Sequence, residues 1–420
     1  MESSHRLPLA GRGLRPFAPT AGWPPVPDPA TPDAEPEGFM VAMDAAVRIH
    51  FLDWGEPGNA ADEPAAGRGA TASEGAKPAN QGPEPANHGR DAANRGRGAA
   101  PGIPRAEVSP AVAPGVLLIH GLARTAWSWA PIANRLREGA HVAAMDLRGH
   151  GLSDAPTDGY DPDQLAEDAI AVAEGAGLLA FADESRPSGE AASRRFVVAG
   201  HGYGAVVAAW TANALGDRCD GLVLVDGGWT DLLAETGMTP DEWLGAITEP
   251  PEVLVSMAAW LADREAFDPA HWGHDQERAA RAEVVETAAG RVKPAIHRHA
   301  LAGSVGALWT YEPATVLPGV EAEIVALAAR DDDAGRHLGA LREMAAARAT
   351  IGRAPILAAS FPGLGHDLMR HAPDTVAAAI WAVASPWRAT AGRGPMDPGH
   401  EPDGTRQGPD AARPGSDLGA

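Results

Sequence analysis

Residues 196–215 read FVVAGHGYGAVVAAWTANAL. The first four are apolar and partly β-branched, the composition of a short buried strand. Five small or turn-forming residues follow, Gly200-His201-Gly202-Tyr203-Gly204, and then an alanine-rich apolar stretch at helical spacing. Glycines at alternate positions allow a sharp strand-to-helix turn with close backbone packing. The start of the helix then aims its positive dipole end at whatever lies beyond the strand. In an open α/β sheet that place, outside the carboxyl ends of the strands, is where ligands bind.

Working outward, the same grammar repeats. Short apolar runs at Val116–Ile119, His141–Met145, Phe196–Ala199, Leu222–Val225, Ile324–Ala328 and Ile356–Ala359 alternate with helical stretches at Trp129–Leu136, Pro162–Ala173 and Ala205–Leu215. Continuous apolar strands separated by helices predict a mostly parallel, doubly wound α/β sheet covered on both faces. Upstream, residues 38–55 predict two further short strands. Between Asp226 and Ile324 the strand signal stops, and helices are expected near Pro240–Ala246, Pro251–Ala262 and Gln276–Ala289. This stretch, about 227–310, reads as an inserted helical cap.

Three tracts lack the apolar side chains to offset chain entropy and are expected to be disordered. They are a 1–37 tail holding nine prolines, a 58–113 insertion whose only core-favouring residues larger than alanine are Ile103, Val108 and Val112, and a 386–420 tail. The expected domain is therefore 38–385, interrupted by 58–113. A loop of that length in place of a four-residue one costs only roughly 2 kcal/mol more to close, so it does not divide the domain. The tracts are nearly neutral, and the formal net charge of −22 belongs to the rest of the chain. That charge argues against nucleic acid or an anionic membrane as partner. One cysteine, Cys219, excludes a disulfide framework or multi-cysteine metal site. With no apolar run of about 18 residues and no signal-like N-terminus, a soluble cytoplasmic protein is expected. Oligomeric state is open.

Four loops fall at predicted strand ends: Ile119-His120-Gly121-Leu122; Asp146-Leu147-Arg148-Gly149-His150-Gly151-Leu152-Ser153-Asp154; Gly200–Gly204; and Phe361-Pro362-Gly363-Leu364-Gly365-His366-Asp367. With the acidic run after Ile324–Ala328, their order resembles the α/β-hydrolase superfamily. The resemblance implies an α/β-hydrolase fold in which the turn at 200–204 is the nucleophile elbow, G-x-S-x-G. It places His366 as the catalytic histidine and Asp332 as the acid, with Asp331 and Asp333 as alternatives in register. The backbone N–H groups of Leu122 and Tyr203 match the oxyanion hole, and Gly202 stands where the family has its serine.

Glycine cannot attack a carbonyl. Two outcomes stay open: atypical hydrolysis of a small ester, lactone or epoxide-like molecule by water activated at His366, and a non-catalytic ligand-binding pseudohydrolase. Ser128, Ser304 and Cys219 are the candidate replacement nucleophiles. His120, Gly121, Trp127 and His201 are expected to contact the ligand, a small apolar molecule held between cap and sheet. Trp229, Trp243, Trp260, Trp272 and Trp309 lie in or beside the cap. A competing reading takes Gly200-x-Gly202-x-x-Ala205 as a dinucleotide fingerprint, with Asp226 as the ribose-binding acid of an oxidoreductase. It leaves the other three loops unexplained, and no cofactor is expected. Nor is a metal, since His271/His274 and His297/His299 show no E-x-x-H partner and fall in the expected cap.

Overall fold

Apolar runs that alternate their side chains between two covered faces become the central strands of one sheet. The computed structural model describes residues 14–16, 35–43, 47–57, 112–179, 194–247, 253–329 and 336–385. Nine strands form the sheet: β1 (Leu14–Pro16), β2 (Glu37–Ala42), β3 (Arg48–Asp53), β4 (Gly115–Ile119), β5 (His141–Met145), β6 (Phe196–His201), β7 (Gly221–Val225), then β10 (Glu323–Ala329) and β11 (Ile356–Phe361); β8 (Val284–Glu286) and β9 (Val292–Pro294) pair separately as an antiparallel hairpin. The order across the sheet is β1-β11-β10-β7-β6-β4-β5-β3-β2. All neighbours run parallel except β2 with β3 and β3 with β5. Leu117 of β4 lies between Ala143 of β5 and Val198 of β6, so the chain turns back at β4 and the ends of β4 and β6 stand side by side.

Helices α1 (Ala130–Leu136), α2 (Pro162–Gly175) and α3 (Tyr203–Leu215) link these strands; α10 (Arg336–Thr350), α11 (Leu368–His371) and α12 (Pro373–Ala384) come at the end. Leu117, Ile119, Val198 and Leu222 pack with α2 and α3 on one face. Their sequence neighbours Val116, Leu118, Val197 and Val223 pack with α1 and α12 on the other. Covering both faces is what requires the strands to be apolar throughout.

The insertion between β7 and β10 carries α4 (Leu232–Thr236), α5 (Pro240–Ala246), α6 (Met257–Phe267), α7 (His274–Ala282), α8 (Arg298–Trp309) and α9 (Pro313–Val316). Two expectations are corrected here. The helix expected over Gln276–Ala289 ends at Ala282, because β-branched Val284 and Val285 pair with Pro294 and Lys293 through a turn at Gly290, whose φ is +74°. The helix expected over Pro251–Ala262 begins only at Met257, where the Ser256 side chain caps it by accepting from the Ala259 N–H.

The 1–37 tract also differs from expectation, since Leu14–Pro16 pairs in parallel with β11, Leu14 opposite Ile356. It is an edge strand, where a proline's missing N–H is tolerated. The 386–420 tail, and 58–113 apart from its last two residues, lie outside the described residues.

One cap is directly testable. Asp161 accepts from the Gln164 N–H ahead of Pro162, the first residue of α2. Asp161→Ala is expected to lower stability by about 1 kcal/mol, read as a shift in the urea midpoint.

Candidate active site

The elbow is built by glycines with different duties. A Cβ on Gly200 would lie 2.0 Å from the Gly204 carbonyl oxygen, and one on Gly204 would lie 2.3 Å from the Ile119 oxygen. Those two glycines are demanded by backbone packing among β6, α3 and β4. Gly202 differs. It sits at φ +54° and ψ −115°, just ahead of α3, and a Cβ there would meet only the His366 ring, Nε2 at 3.0 Å and Cε1 at 3.3 Å. The turn thus keeps the backbone conformation that presents a side chain to His366, on a residue that has none.

His366 is oriented from behind. Its Nδ1–H donates to Asp226 Oδ2 at 2.5 Å, which leaves Nε2 as a lone pair facing Gly202. The other oxygen of Asp226, Oδ1, accepts the Ala329 N–H at 2.8 Å, and the side chain is 8% exposed. Asp226 stands just past β7 at φ +45°, a strained conformation for a non-glycine residue and one that clusters at functional sites. Asp332, expected as the acid, and its neighbours Asp331 and Asp333 lie outside the described residues; among the described residues the carboxylate on His366 is Asp226. Both oxygens of Asp226, the supposed ribose-binding acid, thus have partners within the protein.

Leu122 and Tyr203 line the cavity beside Gly202 and His366. Tyr203 opens α3, where the first N–H groups have no carbonyl a turn back to accept them. Among the described residues the Leu122 N–H makes no backbone hydrogen bond. His201 is buried. Its Nε2–H donates to the His366 carbonyl at 2.9 Å, and the two rings lie 4.4 Å apart. Burial, then the charge of His366, pull its pKa down to about 3, so it acts as a neutral brace for the histidine loop.

The cavity measures about 520 Å³. Its walls are mainly apolar: Leu122, Val206, Trp229, Trp243, Trp260 and Leu308 among them. Gly121 and His201 line it as expected for ligand contacts; His120 and Trp127 do not. His120 is fully buried, with Nδ1–H donating to the Gly121 carbonyl at 2.8 Å and Nε2 accepting the Leu147 N–H at 3.0 Å. It ties two loops together and has no free edge for a ligand. Trp127 is stacked under the Arg278 guanidinium at 3.8 Å, lining two smaller crevices instead.

None of the candidate replacement nucleophiles reaches the cavity lining. Ser128 Oγ donates to the Thr125 carbonyl, Ser304 is buried in α8, and burial pushes the Cys219 thiol up to about 12. The sequence reading missed Arg124 and Glu283, both in the lining and joined by a 2.7 Å hydrogen bond from Nη1 to Oε1. They are 159 residues apart, and only the fold brings them together.

A family model described as the alpha/beta hydrolase family matches residues 116–379, and the chain belongs to that family. Among solved structures it is similar to E-2-(acetamidomethylene)succinate hydrolase, with 16% identity, 83% of this chain and 98% of that one covered, and a TM-score of 0.53. It is similar also to a thioesterase domain from the curacin biosynthetic pathway, at 15% identity, 83% and 99% coverage and TM-score 0.51. An alpha/beta hydrolase from Novosphingobium aromaticivorans follows at 18% identity, 84% and 99% coverage and TM-score 0.50. At such identities the likeness is one of fold alone. No curated protein sequence matches the chain. Among the described residues, no helix is long and apolar enough to cross a membrane.

Proposed function

We propose that this protein takes a small, largely apolar ester, lactone or epoxide-like molecule under a helical cap and hydrolyses it slowly, without a covalent intermediate. For an ester, its carbonyl oxygen lies at the Leu122 and Tyr203 N–H groups. A water beside Gly202 attacks the carbonyl carbon while His366 Nε2 takes its proton. The developing oxyanion is held by the two N–H groups, and as the C–O bond breaks the leaving alkoxide recovers that proton from His366. Asp226 holds the imidazole in the required tautomer and stabilises its charged form.

The observation that carries this reading is the position a Cβ on Gly202 would take, 3.0 Å from His366 Nε2 and close to no residue but His366. A general base faces the reacting place directly. The second reading, a binder without turnover, rests on the same glycine, since no hydroxyl or thiol candidate replaces it.

The test is an assay of wild type and His366→Ala on activated esters, lactones and epoxides, with binding followed by tryptophan fluorescence. Wild type is expected to turn over slowly. His366→Ala is expected to lose on the order of 10²-fold in kcat with binding retained, the usual worth of a general base. Binding with no turnover in either protein would select the pseudohydrolase. Turnover unaffected by the substitution would sink the mechanism.

A further inference from the structure

We propose that Asp268, His271 and His371 form a binding site for a divalent transition-metal ion of the zinc or cobalt kind, which clamps the β7–β10 insertion to the short helix behind the His366 loop. Asp268 follows α6, His271 ends the single 3-10 turn Pro269–His271, and His371 ends α11. His271 Nδ1 lies 3.0 and 3.1 Å from the two Asp268 oxygens, and His371 Nε2 lies 2.9 Å from Oδ2. All three residues thus offer a ligand atom within 4.8 Å of the others. Nitrogen and oxygen ligands about 2.0–2.2 Å from a tetrahedral zinc sit about 3.3 Å from one another, so an ion replaces these hydrogen bonds with small side-chain adjustments.

A second observation concerns the far side of the His371 ring. Its Nδ1 faces the Gly365 carbonyl at 3.4 Å, while Nε2 is turned to Asp268 Oδ2 at 2.9 Å. A backbone carbonyl on the far nitrogen is also how proteins commonly orient a metal-binding imidazole. Residue 365 has to be small for this, because a Cβ there would lie 2.8 Å from His371 Cε1.

Two imidazoles and one carboxylate suit borderline ions such as Zn²⁺ or Co²⁺ and not Ca²⁺ or Mg²⁺, which prefer oxygen. The His271 side chain is 43% exposed, which opens the site to solvent, while those of Asp268 and His371 are 16% and 13% exposed. One group opposes the ion. Arg370 Nε lies 3.2 Å from Asp268 Oδ2, and its Nη2 donates to the Asp268 carbonyl. That charge sets the expected affinity in the micromolar range, short of a permanent structural zinc.

The full chain is titrated with Zn²⁺ by calorimetry and with Co²⁺ by visible absorption, as wild type, His271→Ala, His371→Ala and His274→Ala. His274 is highly exposed and lies apart from the cluster. One equivalent is expected to bind wild type and His274→Ala alike, with at least a tenfold loss of affinity in the other two variants. The proposal is overturned if wild type binds no ion, or if His271→Ala, an exposed change that circular dichroism can show to be folded, binds as tightly as wild type.

Discussion

Gly202→Ser is expected to raise turnover of an activated ester at least a thousandfold over wild type and to release leaving group in a burst. The elbow backbone is already at φ +54° and ψ −115°, and the one side chain facing the new residue is His366, the proposed general base. A Cβ 3.0 Å from His366 Nε2 is close, but the neighbour is an imidazole on a side chain 43% exposed, which can give by a few tenths of an ångström. The hydroxyl then lies within reach of Nε2, with Asp226 behind the ring and the proposed oxyanion residues Leu122 and Tyr203 in the same cavity wall. Loss of a triad nucleophile costs about a millionfold in a protease, so recovery of a thousandfold is a conservative expectation. Stability should move the other way. A non-glycine residue at this φ costs about 1–3 kcal/mol, and a domain of this size loses about 2–4 °C in Tm per kcal/mol. Burst kinetics and a melting curve on the same preparation check both halves. A folded Gly202→Ser protein with no burst and no gain in rate would show that more than the nucleophile has been lost.

How much of this was legible beforehand follows from which interactions are local. β4, β5, β6 and β7 could be read to within two residues because the centre of each is an apolar run, and only a strand buried on both faces needs one. The elbow was legible because its glycines answer a local steric demand. The acid was not. Asp226 was visible as a carboxylate at a strand end, followed by Gly227, on which a Cβ would lie 2.6 Å from the Gly202 oxygen. Choosing it over Asp332, however, requires knowing which strand end the His366 loop approaches, a contact 140 residues long. His120 and Trp127 failed as ligand contacts for a related reason. Composition places a residue in a loop but does not say which way its ring turns, and both rings are held by partners elsewhere in the chain. A metal at His271 is not expected from the sequence, which shows no E-x-x-H partner; the proposed site joins it to Asp268 and, only through the fold, to His371.

Asp168→Ala is expected to cost about 3–5 kcal/mol, a large share of the stability of a typical domain. Arg148 Nε and Nη2 donate to the two oxygens of Asp168, each at 2.6 Å, and Nη1 donates to the Gly159 carbonyl at 2.5 Å. The two side chains are 3% and 0% exposed. Removing the carboxylate strands a guanidinium, which is always charged, in a place with no water to solvate it. The penalty comes from that uncompensated charge rather than from any large net worth of the pair. The double change Arg148→Met with Asp168→Leu is therefore expected to recover most of the loss, and urea unfolding of the three variants reads the cycle. What the pair contributes beyond stability is position. Arg148 lies in the 146–154 loop, whose Leu147 N–H donates to His120, and His120 in turn holds the Gly121 carbonyl next to Leu122, the proposed oxyanion residue. The double variant should then be stable yet impaired in turnover, with kcat falling more than KM rises. If it matches wild type in kcat as well, the charged pair serves neither stability nor the site.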